Sequence, residues 1–165
     1  RETDVSQILN LQNQDWFNTY STEGTIYTEA RTLYDTGTSD ESIMVALHSG
    51  VSSSEIRLYH RESTSSINFI NSGGADVILN TNIHGGNYFH KSAGAFDTND
   101  FALSVDGISS LIDTSNNPLS DTLTTMGIGT SYDGNLFALN GHIKKIAYYP
   151  ERLSNAELQA LTENN

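Results

Sequence analysis

Carboxylates, imidazoles and hydroxyls are all plentiful in this chain, and their spacing decides which chemistry they can support. A retaining glycoside hydrolase needs two carboxylates about 5 Å apart across the scissile bond. Glu23, Glu29, Glu41, Glu55 and Glu62 lie in separate segments, none with a second acid two residues away, and Asp97 and Asp100 sit in a turn. Serine is abundant, but no Gly-x-Ser-x-Gly elbow is present to expose a nucleophile. The histidines (His48, His60, His84, His90 and His142) form no His-x-x-x-His pair. His84 and His90 flank Gly85-Gly86, where a turn could bring them together for zinc, but the stronger reading of both is as ordinary strand or surface histidines. No catalytic residue is assigned, and the expectation is a protein that is not an enzyme.

Binding chemistry is better represented. A pyranose offers an apolar face and a hydroxyl edge, so its site needs an aromatic platform beside amide or carboxylate groups. Two segments have that composition: Tyr132 with Asp133 and Asn135, and His84 with Asn87 and Tyr88. The competing reading is turn chemistry, in which Asp and Asn bond their own backbone. Trp16, the sole tryptophan, is followed by Phe17 and reads as core or interface plug rather than as a platform. Tyr148 and Tyr149 are neighbours on a strand and point opposite ways, which predicts one in the core and the other at the surface.

The elements that must position these residues are strands. Thr25–Leu33, Ile43–Leu47, Glu55–Arg61, Ser66–Asn71, Asp76–Asn80, a weaker Tyr88–Phe96, Phe101–Val105, Ser109–Ile112, Thr125–Gly129 and Gly141–Tyr149 alternate in character or form short apolar runs between turns. Glu55–Arg61 alternates most cleanly: Ile56, Leu58 and His60 share one face, and Arg57, Tyr59 and Arg61 the other. Asp106-Gly107 is a strong hairpin signal. One helix closes the chain. Ser154-Asn155-Ala156-Glu157 is a capping box, Leu153 and Leu158 can form a hydrophobic staple, and Leu158 and Leu161 share a face that can dock on the sheets.

Composition narrows the classes. The 165 residues fit one domain, and the 36% hydrophobic content suffices for a core between two sheets that each bury one face. The formal net charge of −12, with eight basic residues and Lys144-Lys145 their sole adjacent pair, argues against a nucleic-acid partner. No apolar run approaches the roughly 20 residues of a membrane helix, so no membrane insertion is expected. Cysteine is absent, which removes disulfides, thiolate zinc sites and cysteine nucleophiles together. A chain that begins at Arg1 with no leader reads as a processed product or as one piece of a longer protein.

Leu139–Leu161 (LNGHIKKIAYYPERLSNAELQAL) closely resembles the closing segment of laminin-G-like jelly rolls, within the concanavalin A-like lectin/glucanase superfamily. There a Gly-x-Ile strand runs into a Tyr, then a Leu-Ser turn and a short helix. Gly141, Ile143, Ile146, Tyr148, Leu153 and Ser154 occupy those positions here. Glu23–Tyr27 looks like the family's opening strand and Asn99–Gly107 like its central hairpin, so the matching parts run in order from Glu23 to Leu161. The resemblance implies an all-β fold: a two-sheet antiparallel β-sandwich, or jelly roll, with a short C-terminal α-helix. Residues 23–165 would form this domain, and residues 1–22 an N-terminal arm or its first strand.

What the family does follows as expectation. Its hydrolases place their carboxylates in one strand as Glu-x-Asp-x-Glu, a pattern missing here. Its relatives often bind calcium at the rim, and the oxygen-bearing candidates for Ca2+ are Asp133, Asn135, Asp106 and Asp113. The wording KKIAYYPERLSNAELQALT looks most like jelly rolls of phage tail and virion proteins and their prophage relatives. That implies a non-catalytic virion or particle-surface structural or adhesion protein. Such a protein would be homo-oligomeric, would contact other virion or surface proteins, and would be located on the virion or extracellularly, with a glycan as possible ligand. The alternative is a carbohydrate-binding module of a larger secreted bacterial protein. Fold alone does not choose between them.

Overall fold

The structure is a computed structural model that describes residues 7–12, 14–17, 22–33, 41–50, 54–61, 66–72, 77–81, 88–115, 122–132 and 137–164. Its strands are β1 (Gln7–Asn10), β2 (Gly24–Thr32), β3 (Glu41–His48), β4 (Glu55–Arg61), β5 (Ser66–Ser72), β6 (Val77–Thr81), β7 (His90–Asp97), β8 (Asp100–Val105), β9 (Leu111–Asp113), β10 (Thr125–Ile128) and β11 (Gly141–Tyr149). A single described helix, α1 (Asn155–Thr162), follows. The strands form a six-stranded sheet in the order β1-β10-β3-β4-β5-β6 and a five-stranded sheet in the order β11-β2-β7-β8-β9. Every pairing within them is antiparallel.

Alternation along each strand supplies the core between the sheets. Ile56 and Leu58 of β4 and Val45 and Leu47 of β3 point inward and meet Ile26, Phe96, Phe101, Leu103 and Val105 from the other sheet. Full burial of such side chains contributes about 1.5–3 kcal/mol each. Gly94 on β7 sits where an added Cβ would lie 2.4 Å from the Phe69 ring, so the missing side chain is what lets the two sheets close at that point.

The outer face of the five-stranded sheet is half covered by α1. Small residues there (Ala93, Ala95 and Ala102) leave room for Leu158, with Tyr149, Leu153 and Leu161 packing around it. The capping box forms as the sequence predicts. The Ser154 N–H donates to Glu157 Oε2 at 2.8 Å, and the Glu157 N–H donates to Ser154 Oγ at 3.3 Å. The helix also explains a departure from expectation at the tyrosine pair. Tyr148 packs on the inter-sheet core and Tyr149 beneath α1, so neither is a free surface side chain.

The outer face of the six-stranded sheet has a cover of its own, the chain leaving β10. Beside β3 this chain first continues the sheet, with the Gly129 N–H donating to the Met44 carbonyl at 3.0 Å and the Ile43 N–H to the Phe137 carbonyl at 3.0 Å, while Ser131 reaches over the face to Glu55. The carbonyl of Thr130 passes so near Gly127 that a Cβ there would meet it at 2.6 Å. Ile43, Ala46 and Tyr59 are therefore buried although they face away from the core. No helix among the described residues is long and apolar enough to cross a membrane.

Candidate functional site

The β3–β4 hairpin builds a charged cluster on this covered outer face. Strand period places Glu55, Arg57, Tyr59 and Arg61 on one side of β4. The register sets Glu41 opposite Arg61, Ala46 opposite Arg57, and His48 opposite Glu55. A bulge between Ile43 and Val45 adjusts the phase of β3. Glu41 can then reach both arginines: its Oε2 lies 2.9 Å from Arg57 Nη2, and its Oε1 lies 3.3 Å from Arg61 Nη2. The other edge of the Arg57 guanidinium meets Glu55 Oε2 at 3.3 Å. The same guanidinium stands 5.0 Å from the Tyr59 ring centroid and 5.8 Å from that of Phe137, within cation–π range.

Burial within the cluster is graded. The Glu55 side chain is 1% exposed, that of Arg57 14%, and that of Arg61 38%, so the cluster opens toward solvent at Arg61. Glu55 is further held by the Ser131 hydroxyl, which donates to Oε1 at 3.2 Å, and by the backbone N–H of Tyr132. Burial pushes the Glu55 carboxyl above its ordinary pKa, while Arg57, Ser131 and the Tyr132 N–H pull it back in part. His48, the cross-strand neighbour of Glu55, is buried, and desolvation lowers its pKa. Its Nδ1 accepts the Gly50 N–H at 3.2 Å. Chemically, the face offers guanidinium donors, carboxylate acceptors and aromatic walls side by side, which is what an oxygen-rich ligand needs.

The predicted site residues fall in several places. Tyr132 lies at this cluster, half-buried, with its backbone on Glu55. Asp133 and Asn135 lie outside the described residues, as do His84 and Asn87. Tyr88 is 75% exposed on the run into β7, in the other sheet. Asp106 adopts φ 49° in the turn after β8. Its Oδ2 meets His90 Nδ1 at 2.6 Å and its Oδ1 accepts the Lys91 N–H at 2.9 Å. Burial alone would raise the pKa of Asp106, but the His90 and Lys91 bonds outweigh it and hold the carboxyl low. Asp113 accepts the Ser115 N–H at 2.7 Å, and the bonds from Ser115 lower its pKa. The β8–β9 register puts Asp113 opposite Phe101. Asp106 is five residues farther along that strand, roughly 16 Å away, so one ion cannot take both. Among the described residues no three of His, Asp or Glu converge as a metal-binding group.

Of the two expected places for Trp16, core or interface plug, the structure excludes the core. Trp16 stands 47% exposed, edge-on to Phe17 at 5.9 Å and to Tyr148 at 6.0 Å, and Phe17 is the buried member of the pair. With Met126, Ile146, Ala147 and Tyr148 it lines an open pocket of about 380 Å³. The Tyr148 hydroxyl is pushed up to about 12 by burial and by the Glu23 carboxylate.

The residues that sequence reasoning misses are Glu41, Glu55, Arg57 and Arg61. Glu41 and Glu55 are fourteen positions apart in the chain, so no sequence spacing pairs them; the hairpin does. The legible signal is the charged face of Glu55–Arg61, in which Glu, Arg, Tyr and Arg recur at every second residue.

The fold has well-matched counterparts among solved structures. CBM40 of the Ruminococcus gnavus IT-sialidase, solved bound to α2,3-sialyllactose, superposes with a TM-score of 0.71 at 17% identity, over 88% of this chain and 85% of that one. The fold is a concanavalin A-like jelly roll. Domains LG4-5 of the mouse laminin α1 chain match with a TM-score of 0.63 at 16% identity, over 91% of this chain and 40% of theirs. The receptor-binding domain of botulinum neurotoxin D matches at 0.66 and 12%, over 95% of this chain and 41% of its own. No family model and no curated protein matches the sequence.

Proposed function

We propose that this jelly roll is a non-catalytic glycan-binding protein whose ligand sits on the outer face of the six-stranded sheet, at Arg57 and Arg61. The observation that carries this reading is the pair of guanidinium groups held by Glu41, of which Arg57 is also bound by Glu55 and stands beside the Tyr59 and Phe137 rings. Such a network is a costly way to cover a sheet, and a stiff fork of donors is suited to a carboxylate-bearing sugar. The CBM40 structures solved with α2,3- and α2,6-sialyllactose make sialylated oligosaccharides the first ligands to test.

The setting is also a proposal. The likeness to CBM40 along 85% of its length favours a module of a secreted bacterial protein. The phage-like wording of the closing segment supports a particle-surface adhesion or structural role, with self-association and contacts to neighbouring surface proteins. Calcium at Asp133 and Asn135 belongs to the same proposal.

The test is a glycan array followed by calorimetry with α2,3-sialyllactose, with and without chelator, on the wild type and on Arg61→Ala. Arg61 is the more exposed arginine, so its removal spares the fold. Binding to the wild type that weakens at least about tenfold in Arg61→Ala supports the reading, given the strength of charge-assisted bonds. Equal binding by the variant, or no sugar bound by the wild type, overturns it. Loss of binding on chelation assigns calcium a part.

A further inference from the structure

The opposite face of the sandwich carries a second charged surface. Four of the eight basic residues of the chain gather on the outer face of the five-stranded sheet, on the part α1 leaves uncovered: Arg31, Lys91, Lys144 and Lys145. The register makes Lys145, Glu29 and Lys91 a row across β11, β2 and β7, and sets Arg31 opposite His142. Neighbouring strands lie about 4.8 Å apart, so the two ends of the row are roughly 10 Å apart at the backbone. Three of these cations lean over aromatic rings. Arg31 stands 5.0 Å and Lys144 5.9 Å from the Phe89 centroid, and Lys145 stands 5.3 Å from that of Tyr27.

Among the described residues few acids offset them. Glu29 pairs with Lys144 at 2.5 Å, Asp106 at the margin is held by His90, and Lys91 is anchored by its bond to the Glu163 carbonyl at 2.7 Å. In a chain of net charge −12 this is a marked segregation of positive charge. Beside it stand Phe89, 38% exposed, and Tyr88, 75% exposed.

We infer that this face binds an anionic polysaccharide, a chain bearing sulfate or carboxylate groups, independently of the Arg57 face. The charge is complementary, lysine ammonium groups suit exposed anionic groups as point charges, and the rings of Phe89 and Tyr88 supply apolar faces for the sugar backbone. A nucleic acid is the competing polyanion, and an oligonucleotide of equal charge is the control that separates the two.

The experiment uses a size-defined heparin oligosaccharide on the wild type, on Lys144→Gln/Lys145→Gln and on Arg61→Ala, over a salt series. Both lysines are exposed, and near-UV circular dichroism checks that the double variant keeps its fold. Expected are binding at low salt, weakening as salt rises, a loss of about tenfold in the double variant with a shallower salt slope, and no change in Arg61→Ala. No heparin binding at low salt overturns the inference. So does unchanged affinity in the double variant, or loss of binding in Arg61→Ala. An oligonucleotide of equal charge bound as tightly as heparin also overturns it. Sialyllactose binding by the double variant reads the Arg57 face separately, so either proposal can fail alone.

Discussion

Arg57→Ala leaves two carboxylates facing each other without the cation that separates them. Removing one partner of a buried ion pair costs about 3–5 kcal/mol. Here Glu41 keeps its contact with Arg61 at 3.3 Å, so most of the cost falls on Glu55, whose side chain is 1% exposed. A loss of roughly 2–4 kcal/mol follows, which for a chain of this length lowers the Tm by about 5–15 °C. The loss must also depend on pH. The folded pKa of Glu55 is already raised by burial, and Arg57 is the largest influence pulling it down. Without Arg57 it rises further. Below the unfolded value, near 4.5, both states hold the proton and the carboxyl contributes nothing. Above the folded value, the native state must bear a buried charge that the unfolded state places in water. The penalty of Arg57→Ala is therefore largest at neutral to alkaline pH and shrinks as pH falls toward 4.5. Urea melts of the wild type, Arg57→Ala and Arg57→Ala/Glu55→Gln across that range measure it. Glu55→Gln keeps an acceptor for Ser131 while removing the charge, so the double variant should recover much of the loss at alkaline pH. A penalty that is the same at every pH, or a double variant no more stable than the single one, refutes the reasoning.

Three further outcomes rest on other parts of the structure. His48 has a folded pKa lowered by burial from its ordinary 6.5, so between those two values the unfolded state takes a proton the native state refuses. Stability is lost as pH falls through this window, and His48→Asn flattens that limb in a pH series of thermal melts. The buried Thr162 hydroxyl accepts the Gly107 N–H at 3.2 Å and lies 3.0 Å from Ser104 Oγ; Thr162→Val costs about 1–2 kcal/mol in chemical denaturation. Gly94→Ala drives a methyl into Phe69 and costs about 1–3 kcal/mol, with partial recovery in Gly94→Ala/Phe69→Leu.

The sandwich is legible in the sequence because its signals are local. Alternation in Glu55–Arg61, the Asp106-Gly107 turn and the Ser154 capping box each specify their own segment, and the structure contains all three. The site is only partly legible. Tyr132 stands out in sequence for its neighbours Asp133 and Asn135, yet what brings it to the cluster is its backbone N–H, which any residue but proline supplies. Nothing in the sequence joins Glu41 to Glu55, because a cross-strand contact leaves no spacing rule; it depends on a register that a bulge in β3 shifts. The same applies to Lys91, Glu29 and Lys145, which meet only when three strands align. The exposure of Trp16 and the cover over Tyr149 are hidden for a different reason: burial depends on what covers each face, and periodicity reports the face without its cover.

A last question is whether the Glu41–Arg57–Glu55 network serves the fold or a ligand, and the energetics allow the two to be separated. A mostly buried ion network can often be replaced by uncharged side chains of similar volume without loss, because desolvation of the charges consumes what their attraction returns. If the network only ties the chain after β10 to the sheet, Glu41→Met/Arg57→Met/Glu55→Gln would keep that tie. The amide that replaces the Glu55 carboxylate still accepts from Ser131 and from the Tyr132 N–H, and the two introduced thioether side chains fill the space beside Tyr59 and Phe137. The triple variant is expected to stay within about 1 kcal/mol of the wild type in chemical denaturation, and to lose the pH dependence that Glu55 imposes. Binding of sialyllactose by the same protein should weaken at least about tenfold, since the Arg57 guanidinium is gone and Arg61 has lost the Glu41 carboxylate that fixes it. Retained stability with lost binding assigns the charges to recognition. A collapse in stability of more than about 3 kcal/mol would make the network a structural strut, and full binding by the stable variant would move the glycan site elsewhere on the sandwich.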